Sequence, residues 1–156
     1  MIEVSIPGQS HLSLEVLVLD YNGTLALDGV LPDPVKEKII FLANLLEIHI
    51  ITSDTFGSVA RQCEGLPVRI NVLATNDHVR EKAGYLTQFG ERMVVAIGNG
   101  ANDELMLQKA NLGILVLGTE GCSTRALTAS DIIVKDIIDA LDLLLNPQRL
   151  IATLRC

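Results

Sequence analysis

The sequence lacks several features that mark particular classes of protein. Tryptophan is absent and aromatic residues make up only 3% of the 156 residues, so the core must be aliphatic. No apolar run approaches the roughly 20 residues needed to cross a bilayer. The three cysteines are far apart and form no CxxC pair, which argues against a disulfide framework or a zinc knuckle. A reducing compartment is the natural interpretation.

Positive charge is also scarce. The 12 Lys and Arg residues face 19 Asp and Glu residues, which gives a formal net charge of −7. Such a chain has little attraction for nucleic-acid phosphates or for an anionic membrane surface, and we expect neither partner. The first residues also lack the basic start and the apolar run of a signal peptide, so we expect a cytoplasmic protein.

Hydrophobic residues make up 49% of the chain and recur in short runs separated by amphipathic stretches. This alternation predicts one α/β domain over residues 1–156, built on a doubly wound, Rossmann-like parallel sheet. The predicted buried strands are residues 16–19, 48–51, 94–97, 114–117 and 132–134. The predicted helices are residues 34–46, a short helix after residue 54, and residues 77–88, 103–110, 119–129 and 136–145. Residues 149–155 are compatible with a final helix docked on the domain or on a partner.

Two turn signals predict hairpins near the start of the chain. Residues 1–6 and 11–19 flank a Pro-Gly-Gln-Ser turn at 7–10, which predicts an N-terminal β-hairpin with an antiparallel edge strand. Residues 25–31 contain Asp28-Gly29, a pair typical of a second, small hairpin.

The strongest functional signal lies at the end of the first central strand. Asp20 ends an apolar run and is followed by Asn22, Gly23 and Thr24. In a doubly wound sheet this position emerges at the carboxyl edge, where ligands bind. Gly23 would let backbone N–H groups turn toward an anion. An Asp that only caps a turn is the alternative.

A second strand ends in hydroxyl residues. Thr52 and Ser53 follow an apolar run and precede a predicted helix start, where free N–H groups and the helix dipole bind phosphate. Plain N-capping by Asp54 or Thr55 is the alternative.

A third strand enters a loop of small and polar residues. Gly98-Asn99-Gly100 is followed by Asn102 and Asp103 at a predicted helix start. Small residues permit close approach, and amide and carboxylate oxygens suit a metal or phosphate site. A glycine-rich turn with an Asx cap would look the same.

In this order the three segments resemble the nucleophile, hydroxyl and acidic motifs of the haloacid dehalogenase (HAD) superfamily, over about residues 16–134. Lys82 stands where HAD proteins carry their phosphate-neutralising lysine. The resemblance implies a magnesium-dependent phosphohydrolase that forms an aspartyl-phosphate on Asp20. The catalytic residues that it implies are Asp20, Asn22, Thr52 and Lys82. The phosphate-binding residues are Gly23, Thr24, Thr52, Ser53, Lys82 and Asn102. The Mg²⁺ ligands are Asp20, Asn22, Asn99 and Asp103.

Two positions depart from the usual phosphatase pattern. Asn22 replaces the Asp that commonly serves as general acid and base, and an amide cannot transfer that proton. Asn99 replaces the Asp of the usual Gly-Asp-Gly sequence, so we expect weaker metal binding and slow turnover. The chain also resembles small soluble proteins related to the phosphorylation domain of P-type ATPases, in which a Thr stands at the position of Asn22. The alternative is a catalytically degenerate HAD domain that binds phosphate or metal as a regulatory or interaction module.

Cap domains of HAD enzymes are inserted between these motifs. About thirty residues separate Asp20 from Thr52, and a similar number separate Thr52 from Lys82, which leaves no room for a cap. An uncapped site must bind a macromolecular substrate, tolerate water or be covered by a neighbouring subunit. Of these we favour a homo-oligomer that covers the site, and we expect a small phosphorylated metabolite as the substrate. A receiver domain fits poorly because it needs an acidic pair early in the chain. His49, in an apolar strand, is expected to be a satisfied core residue.

Overall fold

A computed structural model of the chain describes residues 1–9, 11–54 and 57–155. The strands in these residues are β1 (Ile2–Ser5), β2 (His11–Asp20), β3 (Glu47–Thr52), β4 (Arg69–Val72), β5 (Met93–Gly98), β6 (Leu112–Val116) and β7 (Ile132–Val134). The α-helices are α1 (Asp33–Leu42), α2 (Ser58–Gln62), α3 (His78–Tyr85), α4 (Glu104–Lys109), α5 (Thr124–Ala129), α6 (Ile137–Leu145) and α7 (Pro147–Leu154). Short 3₁₀ turns cover Leu86–Phe89 and Ala101–Asp103.

The strands form one sheet in the order β4-β3-β2-β5-β6-β7, and all neighbours along this path are parallel. This order confirms the predicted doubly wound α/β fold, with the reversal of direction beside β2. All five predicted central strands are present. The sequence did not predict β4, whose Arg-Ile-Asn-Val residues mix polar and apolar side chains at the sheet edge.

The predicted helices are present, most of them with shorter bounds, whereas α7 begins at Pro147, before the segment 149–155. α1 ends at Leu42 because residues 43–46 turn into β3, and the helix predicted over residues 77–88 divides into α3 and the 3₁₀ turn that follows. None of the helices in the described residues has the length and apolar character to span a membrane.

The N-terminal hairpin is confirmed. β1 pairs antiparallel with the first half of β2, from Ile2 opposite Leu14 to Ser5 opposite His11; Ser10 of the predicted turn lies outside the described residues. The hairpin predicted at residues 25–31 is reduced to a single bridge between Leu27 and Val30.

Two apolar layers cover the sheet. Leu17 and Leu19 of β2 belong to the cluster that includes α1 and α6, whereas Val16 and Val18 belong to the cluster that includes α4 and α5. Because alternate strand residues point to opposite faces, Asp20 continues the face of Val16 and Val18. The carboxylate of Asp20 therefore points to the face of the sheet that α4 and α5 cover.

His49 is a satisfied core residue, as expected. It is buried in β3, its Nδ1 lies 2.8 Å from Tyr85 Oη, and its Nε2 lies 3.0 Å from Glu47 Oε1. Burial lowers the pKa of His49, although the Glu47 carboxylate opposes this effect.

Candidate active site

Lys82 lies between two carboxylates at the carboxyl ends of β2 and β5. Its Nζ donates to Asp20 Oδ1 at 2.5 Å and to Asp103 Oδ1 at 2.7 Å. The Lys82 and Asp103 side chains are 1% and 0% exposed, whereas that of Asp20 keeps 10% exposure. Two carboxylates therefore share one buried ammonium, and of these three groups only Asp20 opens to solvent.

Asp103 fixes the loop that follows β5. Its Oδ2 accepts hydrogen bonds from the N–H groups of Asn99 at 3.0 Å and Gly100 at 2.9 Å. A Cβ on Gly98 would lie only 2.5 Å from Asp103 Cγ, so glycine is required there. Because the Asp103 side chain is 0% exposed and both of its oxygens engage protein donors, Asp103 holds Lys82 and the loop after β5 in place.

Thr24 joins Asp20 to the same loop. The buried Thr24 Oγ1 lies 3.0 Å from Asp20 Oδ2 and 3.2 Å from Asn99 Oδ1, and it donates its hydrogen between them. Asn99 is also buried, and its Nδ2 donates to the Gly121 carbonyl at 3.5 Å. The hydroxyl therefore orients the carboxylate and an amide oxygen toward one another.

Gly23 is required by its backbone conformation and by close packing. Its φ is +76°, and an added Cβ would lie 2.7 Å from both Asn99 Nδ2 and Glu120 Oε2. The N–H groups of Gly23 and Thr24 donate to carbonyls within their own turn at 3.0 and 3.3 Å. These two amides therefore serve the turn itself, which corrects the expectation that they face an anion.

Thr52 ends β3, the strand next to Asp20. It is buried, and its Oγ1 accepts from the Asp54 N–H at 3.0 Å. Asp54 Oδ2 in turn accepts from Ser58 Oγ at 2.6 Å and from the Val59 N–H at 3.0 Å. Asp54 therefore caps α2, as the alternative interpretation of this segment predicted, and its negative charge lies at the start of that helix. Thr55 lies outside the described residues.

The predicted site residues divide into two groups. One hydrogen-bonded network joins Asp20, Thr24, Lys82, Asn99 and Asp103. In the part of the chain that the structure describes, no hydrogen bond links Thr52 to this network. Asn22 and Ser53 are exposed and Asn102 is half-buried, so these side chains lie at the rim.

Burial and charge act on the pKa values of the network in opposite directions. Burial, together with repulsion from Asp103, raises the pKa of Asp20 to about 6, against the attraction of Lys82. Burial alone would lower the pKa of Lys82, but attraction by Asp20 and Asp103 outweighs it and raises that pKa above its usual range. The ammonium is thus held in its charged form between the carboxylates.

The oxygen atoms near Asp20 suit a magnesium ion. The Asp20 carboxylate, the Asn99 Oδ1 and the backbone carbonyl of Asn22 are all hard oxygen donors, and Mg²⁺ usually takes one or two carboxylates and completes its shell with water and phosphate. Among the described residues, no group of three or more His, Cys, Asp or Glu side chains is arranged to hold a metal. The donors therefore fit a hydrated ion shared with a phosphate better than a closed protein cage.

The sequence did not point to Glu120. This residue lies in the loop after β6, and its Oε2 lies 2.7 Å from the position that a Cβ on Gly23 would occupy. No motif surrounds it, and its position just beyond a parallel strand is the one signal that could have drawn attention to it.

Comparison with known proteins places this site in context. No family model matches the chain. The uncharacterized protein MJ0073 of Methanocaldococcus jannaschii is 59% identical over 64 residues, which cover 41% of this chain and 69% of that protein. The soluble P-type ATPase-like phosphatase of the same archaeon is 26% identical over 151 residues; they cover 90% of this chain but only 53% of that phosphatase.

Two solved structures share the architecture. A HAD superfamily (subfamily III A) hydrolase from Legionella pneumophila aligns with a TM-score of 0.71 at 18% identity, covering 91% of this chain and 87% of the other. The 3-deoxy-D-manno-octulosonate 8-phosphate phosphatase from Moraxella catarrhalis aligns with a TM-score of 0.67 at 19% identity, covering 92% and 94%, and was solved with magnesium, phosphate and sugar acid. The chain belongs to the family of MJ0073, and its fold is that of the HAD superfamily. Asp20 lies at the end of the central strand of this HAD fold, beside the reversal of strand order.

Proposed function

We propose that this chain is a magnesium-dependent phosphohydrolase in which Asp20 forms an aspartyl-phosphate. The observation that carries the proposal is the network in which Lys82 and Thr24 each hold one oxygen of Asp20 at the carboxyl end of β2. The Asp20 side chain keeps 10% exposure, whereas its partners Lys82 and Asp103 keep 1% and 0%, so Asp20 is the member of the cluster that a ligand can reach. The similarity to phosphatases of the HAD fold supports the same reaction class.

The proposed reaction has two displacements at phosphorus. An Asp20 oxygen attacks the phosphoryl group, and the bond from phosphorus to the leaving oxygen breaks. Water then attacks the phosphorus of the aspartyl-phosphate, which releases inorganic phosphate and restores the carboxylate. Lys82 holds Asp20 in its attacking position and places a positive charge beside the transferring group.

The loop after β5 organises the site. Asp103 holds Lys82 and the backbone of Asn99 in place through hydrogen bonds. The Asn99 Oδ1 and the Asp20 carboxylate would hold the metal. When it is bound, magnesium supplies charge neutralisation at the phosphoryl oxygens. Thr52 and Ser53 lie on the adjacent strand end, where we propose that they contact phosphate oxygens, with Asn102 at the rim.

Turnover is proposed to be slow because Asn22 cannot exchange a proton. An Asp at this position would protonate the leaving oxygen and deprotonate the attacking water. With an amide there, both proton transfers fall to solvent, and the aspartyl-phosphate persists longer.

We propose that residues 1–156 form one domain acting in the cytoplasm on a small phosphorylated metabolite. Cys63 and Cys122 are free thiols, in keeping with a reducing compartment. Leu27 and Val30 expose 48% and 57% of their surface at the turn near the site, which supports a homo-oligomer that covers it.

The experiment is hydrolysis of an aryl phosphate with and without magnesium. Wild type is expected to turn over slowly with metal, and Asp20→Asn to show only background. Asp33→Asn is the control, because Asp33 is an exposed carboxylate in the first turn of α1. Equal rates for wild type and Asp20→Asn would remove the proposal.

A degenerate phosphate-binding module is the second candidate, favoured by the amides at positions 22 and 99. It predicts that phosphate or magnesium raises the melting temperature while turnover stays at background. Measurable turnover that depends on Asp20 would exclude it.

A further inference from the structure

A cavity of about 140 Å³ opens between residues 23–27, which follow β2, and the end of β6 with residues 118–120 of the loop after it. Its walls are mainly apolar and include Leu25, Ala26, Leu27, Val116 and Ile137. A cavity of about 150 Å³ with apolar walls is large enough for benzene. The space therefore suits a small ring or a short alkyl group.

The cavity adjoins the proposed active site through two residues that follow Asp20. Thr24 lines it, and the Thr24 hydroxyl lies 3.0 Å from Asp20 Oδ2. Gly23 also lines it and packs against Asn99 Nδ2. A group bonded through oxygen to a phosphorus atom beside Asp20 would reach this cavity within a few bonds.

The charged side chains that line the cavity are both acidic. Glu120 and Asp136 both line it, whereas no Lys or Arg is among its lining residues. Asp136 is held in place because its Oδ1 accepts from the Asp139 N–H at the start of α6, at 3.0 Å. Two carboxylates beside an apolar space repel an anionic group and favour a neutral or cationic one.

We propose that this cavity receives the leaving group of the phosphomonoester substrate and selects a small apolar group that carries no negative charge. The inference rests on the proposed function and makes it more specific, because it disfavours sugar acids and other carboxylate-bearing phosphates. Glu120 is then a specificity-determining residue. Its Oε2 lies 2.7 Å from the position that a Cβ on Gly23 would occupy, and both residues line the cavity.

The kinetic test compares phenyl phosphate, 4-carboxyphenyl phosphate and 4-(aminomethyl)phenyl phosphate, each with magnesium; the two substituted esters are similar in size and opposite in charge. We expect kcat/KM to be about tenfold lower for the carboxylate than for the other two, from repulsion of a unit charge at close range. Leaving-group chemistry alone does not favour this order, since 4-carboxyphenolate leaves at least as readily as phenolate.

Glu120→Lys is expected to reverse much of this discrimination. Glu91→Lys is the matched control: Glu91 is exposed in the turn before β5, at the opposite edge of the sheet, and the charge change is the same. The ratio of kcat/KM between two substrates is the readout, so a general loss of activity in Glu120→Lys cancels.

A second measurement needs no turnover. Saturation-transfer NMR should detect p-cresol bound to wild type, should not detect 4-hydroxybenzoate, and should detect 4-hydroxybenzoate with Glu120→Lys.

Turnover with equal kcat/KM for the three substrates, or equal binding of the two phenols, would overturn the cavity inference alone. Absence of turnover with selective phenol binding would overturn the proposed function but not the cavity. If Glu120→Lys dissociates an oligomer and p-cresol binds only the dissociated form, a second copy of the chain fills the cavity, and the inference fails.

Discussion

Replacing Lys82 with Met should destabilise the protein more than removal of any exposed cation. Among the residues that the structure describes, the Lys82 ammonium is the one positive group that hydrogen-bonds to both Asp20 and Asp103. Met has a similar length and no charge, so Lys82→Met leaves two carboxylates facing each other with little access to water. Removing one partner of a buried ion pair typically lowers the free energy of unfolding by about 3–5 kcal/mol.

The geometry gives a similar magnitude. Both Oδ1 atoms contact the same Nζ, so they lie within about 5.2 Å of each other. Two unit charges at this separation repel by about 3 kcal/mol at an effective dielectric constant of about 20. We therefore expect Lys82→Met to lose about 3 kcal/mol at pH 7.5.

The loss should shrink as the pH falls. Without Lys82, the pKa of Asp20, already raised to about 6, rises further above its unfolded value, so on acidification Asp20 takes up its proton at a higher pH in the folded state than in the unfolded state. A raised carboxyl pKa contributes stability at low pH that is lost as the pH rises through the folded pKa. The destabilisation should thus fall by as much as about 1.4 kcal/mol per pH unit while that proton is taken up.

The assay is urea unfolding of wild type, Lys82→Met and Lys109→Met at pH 5.5 and 7.5, with the slope m compared to verify that the same surface unfolds. Lys109 is the control because it is exposed in the last turn of α4, where a cation contributes about 0.3–1 kcal/mol. Adding Asp103→Asn to Lys82→Met should restore about 2 kcal/mol, since one of the opposed charges is removed. A loss below about 1 kcal/mol that is independent of pH would refute this account of the cluster.

Three further predictions concern single residues. Gly98→Ala should lower the free energy of unfolding by about 1–3 kcal/mol, because the added methyl overlaps the Asp103 side chain, and urea unfolding measures this loss. The difference in the free energy of unfolding between wild type and His49→Gln should become smaller as the pH falls from 7.5 to 5, and urea unfolding at each pH measures it. The reason is that the pKa of buried His49 is lowered, so wild type loses stability when the pH falls below the unfolded pKa of about 6.5. Asn22→Asp should raise kcat by about 100-fold through proton transfer, seen in the steady-state rate and in faster decay of the phosphoenzyme.

Each of these has a contrary result. Gly84→Ala, in α3 with open space around the site of its Cβ, should be neutral or stabilising, so an equal loss at Gly84 and Gly98 would contradict the steric argument. A stability gap for His49→Gln that stays constant with pH would show that His49 does not resist protonation in the fold. An unchanged kcat in Asn22→Asp would mean that proton transfer does not limit turnover.

The sequence by itself determined the fold class and the position of Asp20. Apolar runs of strand length that alternate with amphipathic stretches predict a doubly wound parallel sheet. Residues 20, 52 and 99 stand at or just after the ends of three such strands, so they lie at the same edge of the sheet. These features are local, because strand period and turn chemistry depend on neighbours along the chain. β4 escaped prediction for the same reason: a mixed polar edge strand has no distinctive local pattern.

Only the tertiary structure decided how the polar groups are paired. Lys82 and Asp20 are 62 residues apart in sequence, and their contact depends on how the helical layer packs over the face of β2 that carries Val16 and Val18. The engagement of both Asp103 oxygens, the use of the Gly23 N–H within its own turn, and the approach of Glu120 to the cavity likewise depend on loop conformations. Those conformations are set by contacts between distant segments, which no pattern of neighbouring residues encodes.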